Sequence, residues 1–293
     1  FKNTDRHDNP SRKTLPLIIL LLPTTPFHFP LSTSMLISII TATLNNSSTI
    51  LRCVESVNSQ SWPNVEHIII DGASTDNTVE LIRSVPNRVV HLVSEPDRGI
   101  YDALNKGLKV ASGDVIGFLH SDDCFFSNDS LQIIAETFSA GETTPDGMEG
   151  CYSDLLFMGG TDHLKIVRTW KSSRFDPRNI RWGWTPPHPY LFLRKEVYEQ
   201  LGGFDPSFAI AGDYDFQLRL MLHPGIRLTY IPKVITRMSY GGKSTRGLRN
   251  LVTKSREDLL ALRKNVIRYP RLVLLAKILR KLPQFFSSTN YTN

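Results

Sequence analysis

Four short polar segments carry the side chains best suited to chemistry: Thr43-Leu44-Asn45, the run from Asp71 to Asp76, the run from Glu95 to Gly99, and Ser121-Asp122-Asp123. Each follows a β-rich apolar run. Carboxylates gathered in one place raise one another's pKa unless a cation or hydrogen-bond donors offset the charge. A hard divalent ion bridging them to phosphate oxygens is the simplest remedy. Singly, each has a plainer use. The segment Asp71-Gly72-Ala73-Ser74-Thr75-Asp76 serves equally as a turn followed by a helix cap, and adjacent aspartates before a helix are common caps. Asp213 also precedes a helix, so it either caps that helix or works at a site.

Other templates fail. The chain contains no Gly-x-x-x-x-Gly-Lys-Ser/Thr phosphate loop, and no Gly-x-Gly-x-x-Gly follows the first strand,. Cysteine pairs and His-x-x-x-His spacings, the usual marks of zinc, are missing as well,.

The elements that must position these groups alternate. Strands are expected at 36–43, 65–70, 88–93 and 115–119, and the helices between them are marked by Ile50, Leu51, Val54 and Val57, by Val79, Leu81 and Ile82, and by Ala103, Leu104 and Leu108,. This βαβ spacing predicts an α/β fold with a mostly parallel central sheet flanked by helices. In such sheets ligands bind beyond the carboxyl ends of the strands, where all four polar segments fall. The second half is less regular, with strands expected at 151–157, 164–170 and 190–193 and helices at 195–201 and 214–222. Residues 1–34 pair a charged stretch with an apolar run from Leu15 to Leu22 that is too short to span a bilayer, so the folded unit is expected to start near Met35,. A truncation beginning at Met35 tests that boundary.

The chain has 293 residues, 41% of them hydrophobic, and a net charge of +6. That is globular composition, and three cysteines make no paired disulfide framework and suit a reducing compartment,. The charge is uneven: residues 1–34 carry +2, residues 35–226 carry −9 and residues 227–293 carry +13. One uniformly basic surface for nucleic acid is therefore disfavoured.

Five segments in order resemble the family 2 glycosyltransferases. They are Ser38 to Asn45, Ile70 to Thr78, Ser94 to Gly107, Gly113 to Asp123, and Gly202-Gly203-Phe204-Asp205 leading into Gly212 to Arg219. The third looks like the branch that builds bacterial exopolysaccharides and surface antigens. The resemblance covers residues 35–245 and implies a Rossmann-like GT-A fold. It further implies an inverting transferase that moves a sugar from a nucleotide-sugar donor to a hydroxyl of a lipid-linked or polysaccharide acceptor. By the same resemblance Thr43, Asn45 and Asp71 border the nucleotide, Arg98 and Asn105 lie near the nucleotide sugar, Asp122 and Asp123 meet the ribose and a Mn2+ or Mg2+ ion, and Asp213 is the catalytic base. Two departures stand out. Gly212 replaces the glutamate that the family often places before the base, and His120 replaces the leading aspartate of its fuller acidic motif.

On the acceptor or diphosphate side, His188 and Trp184 either contact substrate or serve the fold, and Trp182 offers another flat face for a sugar or for the core. Gly241-Gly242-Lys243-Ser244 is either a closing loop or a plain turn. Residues 246–293 form a helical tail. In its last helix, at 271–282, Leu272, Leu274, Leu275, Ile278, Leu279 and Leu282 share one face and Lys277, Arg280 and Lys281 the other. Such a helix either lies on an anionic membrane surface or packs on the catalytic domain with its charges in water. The first reading places the protein in the cytoplasm, on the inner face of the plasma membrane. A nucleotidyltransferase or phosphotransferase on the same acidic edge, or a silent sugar-nucleotide or polysaccharide-binding protein, are the alternatives. Release of nucleoside diphosphate rather than pyrophosphate separates the first of these from a glycosyltransferase.

Overall fold

The computed structural model describes residues 35–142, 147–159, 165–187, 191–241 and 248–285. The leader and His188 lie outside them, as do residues 242–247 of the loop after Gly241. The first half alternates as its periodicity predicts: β1 (Ile37–Thr43), α1 (Ile50–Asn58), β2 (Val65–Asp71), α2 (Thr78–Ser84), β3 (Val89–Ser94), α3 (Ile100–Val110) and β4 (Val115–Phe118). Strands β3, β2, β1 and β4 are neighbours in that order and all parallel. β1, β2 and β4 are buried on both faces, whereas β3 at the end of the row is partly exposed. Ile37, Ile39, Ile40, Ile68, Ile69 and Ile70 are fully buried,.

The sheet then continues through the second half. It runs on through β8 (Leu191–Arg194), β6 (Gly150–Gly159), β9 (Leu228–Ser239) and the two-residue β5 (Cys124–Phe125), with β7 (Lys165–Trp170) paired to β6. Here β8 runs antiparallel to β4, and β6 antiparallel to β8. Helices α4 (Ser130–Glu142), α5 (Lys195–Leu201) and α6 (Gly212–Leu222) complete the domain. α6 starts two residues before its apolar pattern does, and that puts Asp213 in its first turn.

Buried polar groups knit the parallel strands together. Glu66 on β2 accepts from Ser38 Oγ (2.5 Å), from the Ser112 amide (2.6 Å) and hydroxyl (2.7 Å), and from the Gly113 amide (3.1 Å). These donors hold its carboxyl below the usual glutamate range against the opposing effect of burial. His67 is fully buried with Nε2 2.9 Å from Thr41 Oγ1, and burial pushes its pKa down to about 3. The unfolded chain therefore binds a proton that the folded one refuses between roughly pH 6.5 and 3, and stability falls as pH drops through that window. Urea midpoints measured at pH 7 and pH 5 should differ, and His67→Gln should flatten the difference.

The tail comprises α7 (Leu248–Lys264) and α8 (Pro270–Leu279), followed by a 3-10 turn (Leu282–Phe285). α8 packs on the catalytic domain, with the reverse of the orientation expected for a packed amphipathic helix. Val273 and Lys277 face inward, while Leu272, Leu275, Ile278, Leu279 and Leu282 are exposed. Lys277 is accepted inside because its Nζ sits 3.1 Å from the centroid of the Tyr214 ring and 2.9 Å from Asp258 Oδ1 of α7. Burial nevertheless pushes its pKa down to about 7. Gly183, in the left-handed region at φ +67°, lets the preceding 3-10 turn (Pro177–Trp182) approach the helix. A Cβ there would lie 2.6 Å from Lys277 Cα. Among the described residues no helix is long and apolar enough to cross a membrane.

Candidate active site

Parallel register brings the polar segments to one edge of the sheet. Thr43 pairs with Asp71, and Asp71 with Ser94, so β1, β2 and β3 end level with one another. Thr43 is buried, and its hydroxyl has no hydrogen-bond partner among the described residues. Asn45, in the left-handed region at φ 52°, is exposed; its Oδ1 accepts from the Thr75 amide (2.9 Å) and its own amide donates to Ser74 Oγ (2.8 Å). Asp71 is fully buried and accepts from the Ser74 amide (2.9 Å), from Ser94 Oγ (2.6 Å) and from Ser74 Oγ. Its carboxylate thus fixes the loop that carries Ser74, whose hydroxyl in turn holds the Asn45 amide of the neighbouring loop. Asp76, just before the N-cap of α2, accepts from the Thr78 amide (3.1 Å) and hydroxyl (2.5 Å) and from the Ser47 amide (3.1 Å); these donors lower its pKa to about 2.

The two aspartates after β4 divide the work. Asp123 is almost wholly buried and its Oδ1 accepts from the Ser239 amide (2.9 Å), which ties the end of β9 to this edge. Asp122 is half-buried, and its carbonyl accepts from Arg52 Nη2 (2.7 Å) and Ser239 Oγ (2.5 Å). Arg52, on α1, also has a buried Nε without a partner among the described residues. No three His, Cys, Asp or Glu side chains among those residues form a metal cage. Asp122 is the half-buried carboxylate of the pair, and Mg2+ is commonly bound through one or two carboxylates plus phosphates and water,.

Asp213 reaches the same edge from the other half of the chain. It is half-buried in the first turn of α6, and its Oδ1 lies 3.1 Å from the hydroxyl of Tyr101 and 2.8 Å from the Tyr214 amide. Tyr101 opens α3, directly beyond β3, and its hydroxyl is also 2.6 Å from the Ile210 carbonyl. Burial and the Asp213 charge push the Tyr101 phenol well above its ordinary range, so it stays a donor. The missing glutamate has a steric reason: a Cβ on Gly212 would sit 2.8 Å from the Tyr101 ring. Glu257 of α7 supplies the rest of the frame. It accepts from the amides of Ala209 (3.0 Å), Ile210 (2.8 Å) and Ala211 (2.9 Å), the loop that delivers Asp213.

Several of the remaining residues have protein partners. Asn105 donates to the Phe204 carbonyl (2.7 Å) and accepts from its amide (2.8 Å), clamping α3 to the loop before α6. Arg98 is exposed and pairs with Asp102 one helical turn away (3.1 Å). Asp215 is buried among Arg219 (3.1 Å), Asn265 (2.9 Å) and Lys264 (3.4 Å). Trp184 is buried against Tyr152 and Phe175 and lines a cavity of about 580 Å³, whereas Trp182 is exposed. Tyr101, Arg52 and Glu257 escaped the sequence reading. Tyr101 stands inside a recognised segment and could have been found there; the other two are ordinary helix residues until the chain folds.

Comparison with known proteins places the chain among sugar transferases. Residues 38–202 match the model for glycosyl transferase family 2. An uncharacterized glycosyltransferase of Mycobacterium tuberculosis is 34% identical over 188 residues, covering 64% of this chain and 69% of the relative. The Escherichia coli UDP-Glc:alpha-D-GlcNAc-diphosphoundecaprenol beta-1,3-glucosyltransferase WfaP is 42% identical over 89 residues, 30% of this chain and 36% of WfaP. Among solved structures, the mannosyltransferase PcManGT of Pyrobaculum calidifontis in complex with GDP-Man and Mn2+ superposes with a TM-score of 0.59 at 19% identity, covering 87% of this chain and 74% of the other. That likeness shows the GT-A fold.

Proposed function

The chain belongs to the family 2 glycosyltransferases, and from that premise we propose that it transfers a sugar, with inversion, from a nucleotide-sugar donor to a hydroxyl of a lipid-linked or polysaccharide acceptor in cell-surface polysaccharide synthesis. The observation that carries this reading is the meeting of Asp213 with Tyr101 at the sheet edge that also holds Asp122. The donor lies along that edge, with its nucleotide against Thr43 and the loop fixed by Asp71. Asp213 takes the proton of the acceptor hydroxyl. The freed oxygen pair attacks the anomeric carbon, the bond from that carbon to the diphosphate oxygen breaks on the opposite face, and nucleoside diphosphate leaves. A single displacement inverts the anomeric centre and needs one base, whereas hydrolases ordinarily use two carboxylates. A Mn2+ or Mg2+ ion on Asp122 would offset charge growing on the leaving diphosphate.

A panel of UDP-, GDP- and dTDP-sugars with Mn2+ tests the proposal, scored first by nucleoside diphosphate release and then by dependence on added acceptor. One donor should stand out, and both chelation and Asp122→Asn should reduce its turnover by about 10²-fold or more, the scale of a lost transition-state charge contact. Pyrophosphate as product, or no donor-dependent release from folded protein, would sink the reading.

A further inference from the structure

The cavity beside Trp184 lies between the end of β7, the turn after the 3-10 segment Pro177–Trp182, and the inner face of α8 with the 3-10 turn that follows it. Lys171, Lys277, Arg280 and Lys281 all line it, and no carboxylate does. Lys277 has Asp258 as its partner from α7. Among the described residues, Lys171, Arg280 and Lys281 pair with no carboxylate. Arg168 holds the far wall by donating through Nε to Gln284 Oε1 (2.8 Å). Like charges around a partly enclosed space are unfavourable unless an anion joins them. The pKa of Lys281 is pushed down to about 8, chiefly by burial and next by Lys254, with Asp258 pulling it part of the way back. Lys281 also feels the charge of Asp213, and Lys277 lies on the ring of Tyr214, the residue after the base. The cavity is thus linked to the start of α6 through Lys277 and the Tyr214 ring.

The opposite face of the same helix is apolar and uncovered. Leu272, Leu275, Leu279 and Leu282 recur at spacings of three, four and three residues, and all are at least half exposed. Val273, Lys277 and Lys281 recur every four residues on the inner side,. α8 and the turn after it thus set Lys277 and Lys281 on the inner side against a row of leucines toward solvent, a separation of about one helix diameter,. A ligand matched to both rows carries a compact multivalent anion on a hydrocarbon chain.

We propose that this cavity binds the diphosphate of a lipid-linked acceptor, with Lys171, Arg280 and Lys281 on the phosphate oxygens and the leucine face of α8 against the lipid chain and its membrane. The assignment deepens the acceptor side of the transfer described above and rests on it. It also revises the role expected of the tail's charges, which serve the acceptor's diphosphate while the leucines meet the lipid.

Binding of farnesyl diphosphate to the full chain, followed by the fluorescence of Trp170 and Trp184 in the cavity wall, is the test. Inorganic pyrophosphate, farnesol and phosphatidylglycerol vesicles serve as separate arms. Arg280→Ala/Lys281→Ala should weaken farnesyl diphosphate at least 10-fold while leaving farnesol binding, the melting temperature and the donor KM for nucleoside diphosphate release unchanged. Leu275→Ser/Leu279→Ser should weaken farnesyl diphosphate several-fold and leave pyrophosphate alone. Wild-type affinity in the charge variant overturns the proposal. So does equal affinity for pyrophosphate and farnesyl diphosphate, capture of vesicles without farnesyl diphosphate binding, or a raised donor KM, which would give the cavity to the donor. Because this binding requires no turnover, a failure of glycosyl transfer would be seen separately.

Discussion

Asp213→Asn should lose about 10²–10⁴-fold in turnover, the range that a positioned general base contributes, and should keep its affinity for the donor. Asparagine has the same shape and still offers an oxygen to the Tyr101 hydroxyl and the Tyr214 amide, so the start of α6 is preserved. Only the capacity to take a proton is removed. The loss should appear in kcat, with donor KM within about two-fold, because an interaction made only in the transition state lowers kcat and kcat/KM together. Single-turnover transfer alongside equilibrium binding of the donor would check this. Turnover within a few-fold of the native protein would place the base elsewhere. Asp215 is no substitute, since it is buried under Arg219, Asn265 and Lys264.

Glu257→Ala should cost nearly as much although residue 257 touches no substrate. Its carboxylate receives three consecutive backbone amides, and leaving them without an acceptor destabilises the 209–211 loop by about 2–4 kcal/mol, given that hydrogen bonds to charged groups contribute about 1.5–3 kcal/mol each and are not additive,. The loop carries Asp213, and a displacement of about 1 Å at a reacting group can cost about 10²-fold. Turnover should fall by about that factor while donor KM holds. Glu257→Gln should recover part of the loss, because its one remaining carbonyl oxygen can still accept from the Ile210 and Ala211 amides. A glutamine variant no better than alanine would show that Glu257 does not act through this geometry.

The parallel half of the fold was legible because each strand is a short apolar run closed by a polar turn, and helices at 3.6-residue spacing lie between. The carboxyl-edge positions of Thr43, Asn45, Asp71 and Asp122 follow from that pattern alone. What the pattern could not give is the use of each side chain. Asn105 stands in a recognised segment, yet its amide is taken by the Phe204 backbone, a partner 99 residues away. Asp123 looked equivalent to Asp122 until β9 returned to place the Ser239 amide against it. Glu257 and Arg52 lie on helices whose local sequence states only that they are polar. For α8 a helical wheel separates a leucine face from a lysine face, though Leu274 turns toward the core and Arg280 stays exposed, and it cannot say which face docks. Hydrophobicity alone turns the leucines inward, whereas the Tyr214 ring and Asp258 give Lys277 a place that no local pattern encodes.

The contact between Gly212 and the Tyr101 ring reaches past this one chain. The two positions make a single steric choice: an aromatic ring on α3 fills the volume that a side chain at 212 would need, and its hydroxyl steadies the aspartate that follows. Changing either alone leaves a clash or a hole, so an evolutionary route to glutamate at 212 passes through a smaller residue at 101 first. A motif scored one column at a time would read the glycine as decay. Scored as a pair, it is an alternative spelling of the same active-site instruction.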